Sequence, residues 1–214
     1  MDSAIENFVM HGTRIVGVVT NRGTFGCRWA INAAGLFSDE VMHKAGVRPE
    51  FKITPRRGEY CILDRAEIMI NNVLFPVPSD VSKGILVTAT LHGNTIVGPN
   101  AQNIENKEDK SVSPEGMAEL FDGAYKLIPG INMRYVIATF AGLRASGNAQ
   151  CVTPGVDACG DFIIEIPPVV QGFVNLGGIE SPGLTAAPAI ALRVVELLKD
   201  AGEPLTEKSD WKPI

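Results

Sequence analysis

The chain has 214 residues, 45% hydrophobic and 20% charged, with a formal net charge of −5. That composition supports one large or two small packed cores and excludes a disordered segment. The acidic balance argues against nucleic-acid binding, since Arg56-Arg57 is the densest basic spot, and no apolar run free of charge reaches bilayer length.

In chain order, residues 13–20 (TRIVGVVT) read as a strand, Asn21-Arg22-Gly23 as a hairpin turn, and residues 25–31 as the returning strand. Residues 30–35 (AINAAG) form an apolar strand ending in small residues. Ser38-Asp39-Glu40 then opens a helix, as a capping residue followed by acids, with Val41, Met42 and Ala45 inward and Gly46 as its end. From about residue 51 the pattern changes to short strands separated by Pro, Gly and Asn: residues 60–63, 73–75, 85–90 and 95–98, with Leu91-His92-Gly93-Asn94 as a hairpin loop. Consecutive strands without helices imply an antiparallel sheet. Ser113-Pro114-Glu115 starts a helix whose apolar face is Met117, Leu120, Phe121, Ala124, Leu127 and Ile128, closed by Pro129. A strand at 135–140 leads into Gly142-Leu143-Arg144-Ala145. Residues 162–166 and 172–176 make a last strand pair, and 185–201 the final helix, with Ile190, Ala191, Val194, Leu197 and Leu198 inward.

The fold class is α+β: an antiparallel sheet with flanking helices, inserted between two segments that share the style strand, small-residue turn, helix. The boundaries are 1–48, 49–145, 146–202 and a polar, proline-containing tail at 203–214 that reads as a linker. The start, Met1-Asp2-Ser3-Ala4-Ile5-Glu6, lacks signal-peptide character. Cys27, Cys61, Cys151 and Cys159 form no CxxC and no metal spacing, so they read as free thiols of a cytoplasmic protein, a Cys151–Cys159 disulfide being the lesser alternative.

The most informative stretch is residues 174–189 (VNLGGIESPGLTAAPA). A short apolar strand meets two glycines, a Ser-Pro-Gly turn and a small-residue helix. Glycine lets backbone approach a ligand closely, and a helix N-terminus offers unpaired N–H groups and a partial positive charge to an electron-rich group. Tight packing at a strand-to-helix corner accounts for the same residues equally well.

Residues 31–35 (INAAG), 142–145 (GLRA), 161–165 (DFIIE) and 177–184 (GGIESPGL) together resemble the FAD-dependent oxidoreductases of the D-amino-acid oxidase superfamily. The similarity is greatest to glycerol-3-phosphate dehydrogenase-like and L-2-hydroxyglutarate oxidase-like members. The resemblance implies FAD as cofactor, with residues 1–48 and 146–202 as parts of the FAD-binding domain and 49–145 as the substrate-binding sheet. It implies that Ala33, Ala34 and Gly35 lie against the adenosine half of FAD. Gly178, Ile179, Ser181, Pro182, Gly183 and Leu184 would line the isoalloxazine ring. Arg144 matches the arginine that binds the substrate's carboxylate or phosphate, which its planar fork suits. A structural arginine pairing a buried acid is the alternative.

The remaining candidates are weaker. Arg57-Gly58-Glu59-Tyr60 resembles the segment leading into the substrate sheet, where Tyr60 is a pocket hydroxyl or a core tyrosine. Alcohol oxidation needs a base. His92 falls within the substrate domain, while His11 and His43 sit on polar stretches; Lys83 is a further candidate, although an exposed lysine is protonated. No metal ligand set is read.

Family members begin with a strand, a GxGxxG turn and a helix that hold the FAD pyrophosphate. The sequence has no GxGxxG. The chain therefore reads as part of a longer flavoenzyme, expected to hold FAD poorly alone, with an N-terminal FAD-binding segment preceding it. The tail 211–214 (WKPI) resembles a linker to an iron–sulfur domain. Glu180-Ser181-Pro182 stands where glycerol-3-phosphate dehydrogenases proper carry a lysine, which tilts the substrate towards a 2-hydroxy acid. The reading is oxidation of a CH–OH group in a small anionic substrate by hydride transfer to flavin. The alternatives are an amine- or amino-acid-oxidising flavoenzyme and a non-catalytic module that has lost its cofactor. Apolar surface on the 32–35 strand also predicts self-association.

Overall fold

A computed structural model describes residues 2–66, 68, 70–77, 84–147 and 161–210. The first segment is an antiparallel three-stranded sheet, β1 (Ile5–His11), β2 (Arg14–Thr20) and β3 (Gly23–Gly26), in that order. Strand β1 has no counterpart among the sequence expectations. Its burial is one-sided only at Phe8, so the alternation that marks a strand is nearly absent. The expected 25–31 strand is two strands in different sheets: β3 ends at Gly26, and β4 (Ala30–Asn32) pairs elsewhere. Between them Arg28 and Trp29 turn to Glu203, whose carboxylate takes an ion pair from Arg28 at 2.8 Å and a hydrogen bond from Trp29 Nε1 at 3.0 Å. The polar tail thus begins docked.

Strand β4 runs parallel to β11 (Phe173–Gly177), which pairs antiparallel with β10 (Ile163–Glu165). Both parallel strands feed helices: β4 leads to α1 (Ser38–Lys44) and β11 to α3 (Gly183–Asp200). Ser38 is not the cap of α1. A 3-10 turn at Gly35–Phe37 precedes the helix, Phe37 takes the N-cap position, and Ser38 is fully buried as the first helical residue. Asp39 performs the tethering instead: its carboxylate accepts from Ile53 N–H at 3.0 Å and from Lys107 Nζ at 2.8 Å. Burial pushes the Asp39 carboxyl up, but these bonds and the Glu40 N–H outweigh it and hold it below the ordinary carboxylate value.

The middle segment is the expected antiparallel sheet. Strand β5 (Thr54–Leu63) is central. On one edge it pairs with β9 (Val136–Ser146) through a ladder from Thr54↔Ser146 to Leu63↔Val136. It also pairs with β7 (Thr95–Gly98) and β8 (Gln102–Asn103), and β6 (Leu86–Ala89) pairs with β7. Residues 73–75 contribute one bridge, Leu74↔Val87, rather than a strand, as the following Pro76 cannot donate to a ladder. Helix α2 (Pro114–Leu127) covers one face, and the Ser113 hydroxyl accepts from Gly116 N–H at 3.0 Å as the expected cap. Leu120, Phe121 and Ala124 pack on Cys61, Leu63, Val87 and Val97 as one core. At about 25 cal/mol per Å², Phe121 alone contributes roughly 1.5–3 kcal/mol.

Helix α3 packs through Val194, Leu197 and Leu198 against Val174 and Ile164. Ala191, expected inward, is exposed, because the buried stripe runs Ile190, Val194, Leu198 at four-residue spacing. Leu184 and Leu192 are also exposed, at 94% and 67%. Among the described residues no helix is long and apolar enough to cross a membrane.

Candidate functional site

Two small-residue turns lie side by side because the strands that feed them are parallel and in register. Asn32 stands opposite Asn175, so Ala33-Ala34-Gly35 leaves β4 beside the Gly177-Gly178 end of β11. The two asparagines are buried and linked: Asn32 Nδ2 donates to Asn175 Oδ1 at 2.8 Å and to Ser38 O at 2.8 Å, and Asn32 Oδ1 accepts from Ala34 N–H at 3.2 Å. Asn175 Nδ2 and Ser38 Oγ are buried without a partner among the described residues. Ala33 and Ala34 are exposed and border a cavity of about 230 Å³, lined also by Asn32, Val41 and Phe173. The carboxyl ends of adjacent parallel strands are where α/β sheets receive nucleotide-like ligands.

The glycine turn is pressed against the end of β9 in the antiparallel sheet. Gly178 has φ +63°, and a Cβ there would lie 3.2 Å from Gly147 Cα; a Cβ on Gly147 would lie 2.8 Å from Gly178 Cα. Two backbones therefore meet with no side chain between them, at the end of β9, where Arg144 is carried. Ile179 is half-buried and Glu180 buried, with Glu180 Oε2 unpartnered among the described residues. Ser181, Pro182 and Leu184 are exposed, while Gly183 is buried, where a Cβ would meet the Ile179 side chain. No side chain caps α3 and no acid stands in its first turn. Its N-terminal partial charge is thus not met by a first-turn carboxylate, although the buried Glu180 stands in the turn before it.

The register of β5 against β9 builds the opposite wall. Directly opposed residues share a face. Hence Thr54/Ser146, Arg56/Arg144, Gly58/Gly142 and Tyr60/Phe140 form successive rows on the face away from α2. The rings of Tyr60 and Phe140 stack, 4.9 Å apart at 7°. In the glycine row only Gly142 is open, where a Cβ would meet nothing within 4 Å; a Cβ on Gly58 would lie 3.0 Å from Pro99 Cβ and 3.5 Å from Asn100 O. Arg144 lies on the Gly58 side of this row. Its Nη2 would be 3.3 Å from a Cβ on Gly58, and it donates to Asn100 O at 2.9 Å. The structure thus places Arg144 near the Gly178 turn, with Tyr60 on the same face two rows from Arg144, roughly 13 Å along β5 at about 3.3 Å per residue.

His92 is not brought to them. It is exposed in the Thr90–Asn94 turn, beyond the Leu63↔Thr95 end of the sheet. From 56 to 63 along β5 is roughly 20 Å at about 3.3 Å per residue. His11 and His43 are exposed. Lys83, Cys151, Cys159 and the 211–214 tail lie outside the described residues. Cys61 is buried, and burial pushes its thiol up to about 11; Cys27 is raised for the same reason.

Residues with no expected role hold this wall in place. On the α2 face, the fully buried Glu59 carboxylate accepts from Ser113 N–H at 2.8 Å, Ser113 Oγ at 3.0 Å and Asn100 Nδ2 at 2.7 Å, and faces Arg57 at 3.4 Å. Arg57 also reaches Asp109 and Gln102. Asn100 is the hinge of the arrangement: its side chain serves Glu59 and its carbonyl anchors Arg144.

The sequence matches the family model described as FAD dependent oxidoreductase (DAO) over residues 2–197. It is 34% identical over 197 residues to a glycerol 3-phosphate dehydrogenase of Caloramator mitchellensis, covering 92% of this chain and 39% of that protein. It is 28% identical over 176 residues to the mitochondrial L-2-hydroxyglutarate dehydrogenase of Arabidopsis thaliana, covering 75% of this chain and 35% of that one. The fold superimposes on the dithionite-reduced L-alpha-glycerophosphate oxidase of Mycoplasma pneumoniae with FAD bound. The TM-score is 0.82 at 33% identity, covering 98% of this chain and 52% of that structure. The chain spans less than half the length of these curated relatives.

Proposed function

Because the chain belongs to the DAO family of FAD-dependent oxidoreductases, we propose that it forms the substrate wall and part of the flavin wall of an enzyme that oxidises a CH–OH group in a small anionic substrate. The observation that carries this reading is the seam at Gly147 and Gly178, which sets the Arg144 strand against the turn that opens α3. The residues fit a flavin. The α3 N-terminus has no side-chain cap and no acid in its first turn, Gly178 carries no side chain, and among the described residues Asn175 Nδ2 and Ser38 Oγ are buried donors without acceptors.

Gly178, Ile179 and the turn from Ser181 to Leu184 would hold the isoalloxazine ring, and Ala33, Ala34 and Gly35 the adenosine half. When bound, the flavin supplies the acceptor for the substrate's hydride. The partial positive charge of α3 favours negative charge on whatever it faces, an electrostatic contribution of the oxyanion-hole kind. Arg144 binds the anionic end of the substrate through its guanidinium fork, fixed in direction by Asn100 O. Tyr60, held flat by Phe140, offers its hydroxyl on the same face and closes the far side of the gap. The open side of Gly142 leaves space for the substrate's carbon chain.

The test is substrate-dependent bleaching of the flavin in the full-length protein. Glycerol 3-phosphate, L-2-hydroxyglutarate and glycine are compared in wild type and Arg144→Met. The expected result is bleaching by a hydroxylated anion and a loss of about tenfold to a hundredfold in apparent affinity in the variant, the worth of one charge-assisted hydrogen-bond pair. Bleaching by glycine alone, or unchanged affinity in Arg144→Met, overturns the reading.

A further inference from the structure

We propose that Gly58 and Asn100 are positioning residues that together set the direction of the Arg144 guanidinium, Gly58 by the space it leaves over β5 and Asn100 by the carbonyl it holds there. This rests on the reading of Arg144 given above and adds to it the two residues through which the sheet aims that side chain.

The placement follows from a break in the ladder. On one edge β5 pairs with β8 at Arg56 and Arg57 and with β7 from Cys61 to Leu63. Residues 58–60 fall between these pairings, and Asn100 lies in the chain between β7 and β8. Its side chain stands in for the missing strand residue, since its Oδ1 accepts from Glu59 N–H at 2.8 Å. The opposite edge of β5 is continuous, with Arg56 facing Arg144 and Gly58 facing Gly142. Arg144 therefore starts from β9 on one side of β5, and its Nη2 donates at 2.9 Å to Asn100 O on the other. It passes over the strand at Gly58. A Cβ there would lie 3.3 Å from Arg144 Nη2 and 3.5 Å from Asn100 O, so a side chain at this position would press on the guanidinium.

Asn100 has little freedom to move that carbonyl. It is 3% exposed. Besides accepting from Glu59 N–H, it donates through Nδ2 to Glu59 Oε2 at 2.7 Å and to Glu119 Oε2 at 3.0 Å. Glu59 is fixed in turn at the start of α2, where Ser113 N–H and Ser113 Oγ donate to its Oε1. Hydrogen bonds to a carboxylate are roughly twice as strong as those between neutral groups. The Asn100 side chain thus belongs to the network on the α2 face, while its carbonyl meets Arg144 on the opposite face. A guanidinium is a rigid plane of donors, so tethering Nη2 limits where the remaining N–H groups can point. The buried network on one face in this way orients the arginine that meets the anion on the other.

The test is a double-mutant cycle read by flavin bleaching in the full-length protein. The ligand is whichever of glycerol 3-phosphate, L-2-hydroxyglutarate and glycine bleaches wild type most strongly. Gly58→Ala and Asn100→Ala are made alone and together with Arg144→Met, and the unliganded Tm of each variant is measured. Alone, each is expected to raise the half-saturating ligand concentration about tenfold, the worth of one hydrogen bond to a charged group, with the limiting bleaching rate changed far less. With Arg144→Met in place, neither should raise it further. The ligand-dependent rise in Tm reports the same affinity independently of flavin reduction. Gly58→Ala removes no hydrogen-bonding group, so it carries the test where Asn100→Ala unfolds. A loss of affinity that persists in the Arg144→Met background assigns both residues to general packing and overturns the proposal. Unchanged affinity in both single variants, with Arg144→Met still impaired, overturns it and leaves the Arg144 reading standing. Unchanged affinity in Arg144→Met, or no bleaching by any of the three ligands, overturns that reading and the proposal with it.

Discussion

Gly116 is the residue whose substitution most sharply tests the energetics of α2 on the five-stranded sheet. It sits in the first turn of α2, where alanine is ordinarily better than glycine by about 1 kcal/mol. Here a Cβ would land within the Glu59 carboxylate. Either α2 retreats from the sheet or Glu59 leaves its seat between Ser113, Asn100 and Arg57. Losing two of those charge-assisted hydrogen bonds costs about 3–6 kcal/mol, and the propensity gain offsets about 1. Gly116→Ala should therefore destabilise the fold by about 2–5 kcal/mol, or roughly 5–15 °C in Tm for a chain of this size. Urea titration followed by far-ultraviolet circular dichroism measures it. On a Glu59→Ala background the same methyl group should cost at least about 1 kcal/mol less, since residues in contact are not additive. If Gly116→Ala is as stable as wild type, helix propensity is the governing term and the buried carboxylate is not where the hydrogen bonds place it.

The Asp39–Lys107 contact gives a pH signature. The Asp39 carboxyl is depressed from 3.8, so its contribution is complete above that value and is lost as pH falls through the lower folded value. Asp39→Asn should flatten the acid limb of a stability-against-pH curve below about pH 4, and an unchanged limb would assign acid lability elsewhere. Lys107 is raised from 10.5 by Asp39 and Glu40 against an opposing desolvation, so its share persists to higher pH; Lys107→Ala at neutral pH should cost about 1 kcal/mol, since the pair is partly exposed. Cys61, buried with its thiol near 11, should resist iodoacetamide at pH 8 until the chain unfolds. Peptide mass spectrometry of a timed reaction reports this, and rapid labelling under native conditions would contradict its burial.

The parts legible in the sequence were those whose signal is local. Helix α2 carried its cap, its proline at the first helical position and its apolar face within one stretch of sequence, and the structure has all three. The β6–β7 hairpin was legible from Gly93 and the flanking apolar runs. Strand β1 was not, because a strand exposed on both faces leaves no alternation. Ser38 looked like a cap because local rules favour serine before two acids, whereas burial against β11 took it into the helix. The Asn32–Asn175 pair spans 143 residues, and only the parallel register makes those two amides one unit. The same holds for Arg56, which is a neighbour of Arg57 in sequence and of Arg144 in space. His92 was assigned by region alone; the ladder puts it at the other end of the sheet.

The glycine seam between residues 147 and 178 also bears on how this scaffold tolerates change. With backbone against backbone, neither position admits a side chain without parting the two walls. If the proposed function holds, variation in the substrate accepted enters from the rows farther along β5 and β9, where Gly142 opens onto empty space and Tyr60 stacks on Phe140. On the proposed reading, longer hydroxy acids would be admitted by trimming that aromatic row. Adding bulk at the seam would, on the same reading, separate the Arg144 strand from the turn that opens α3.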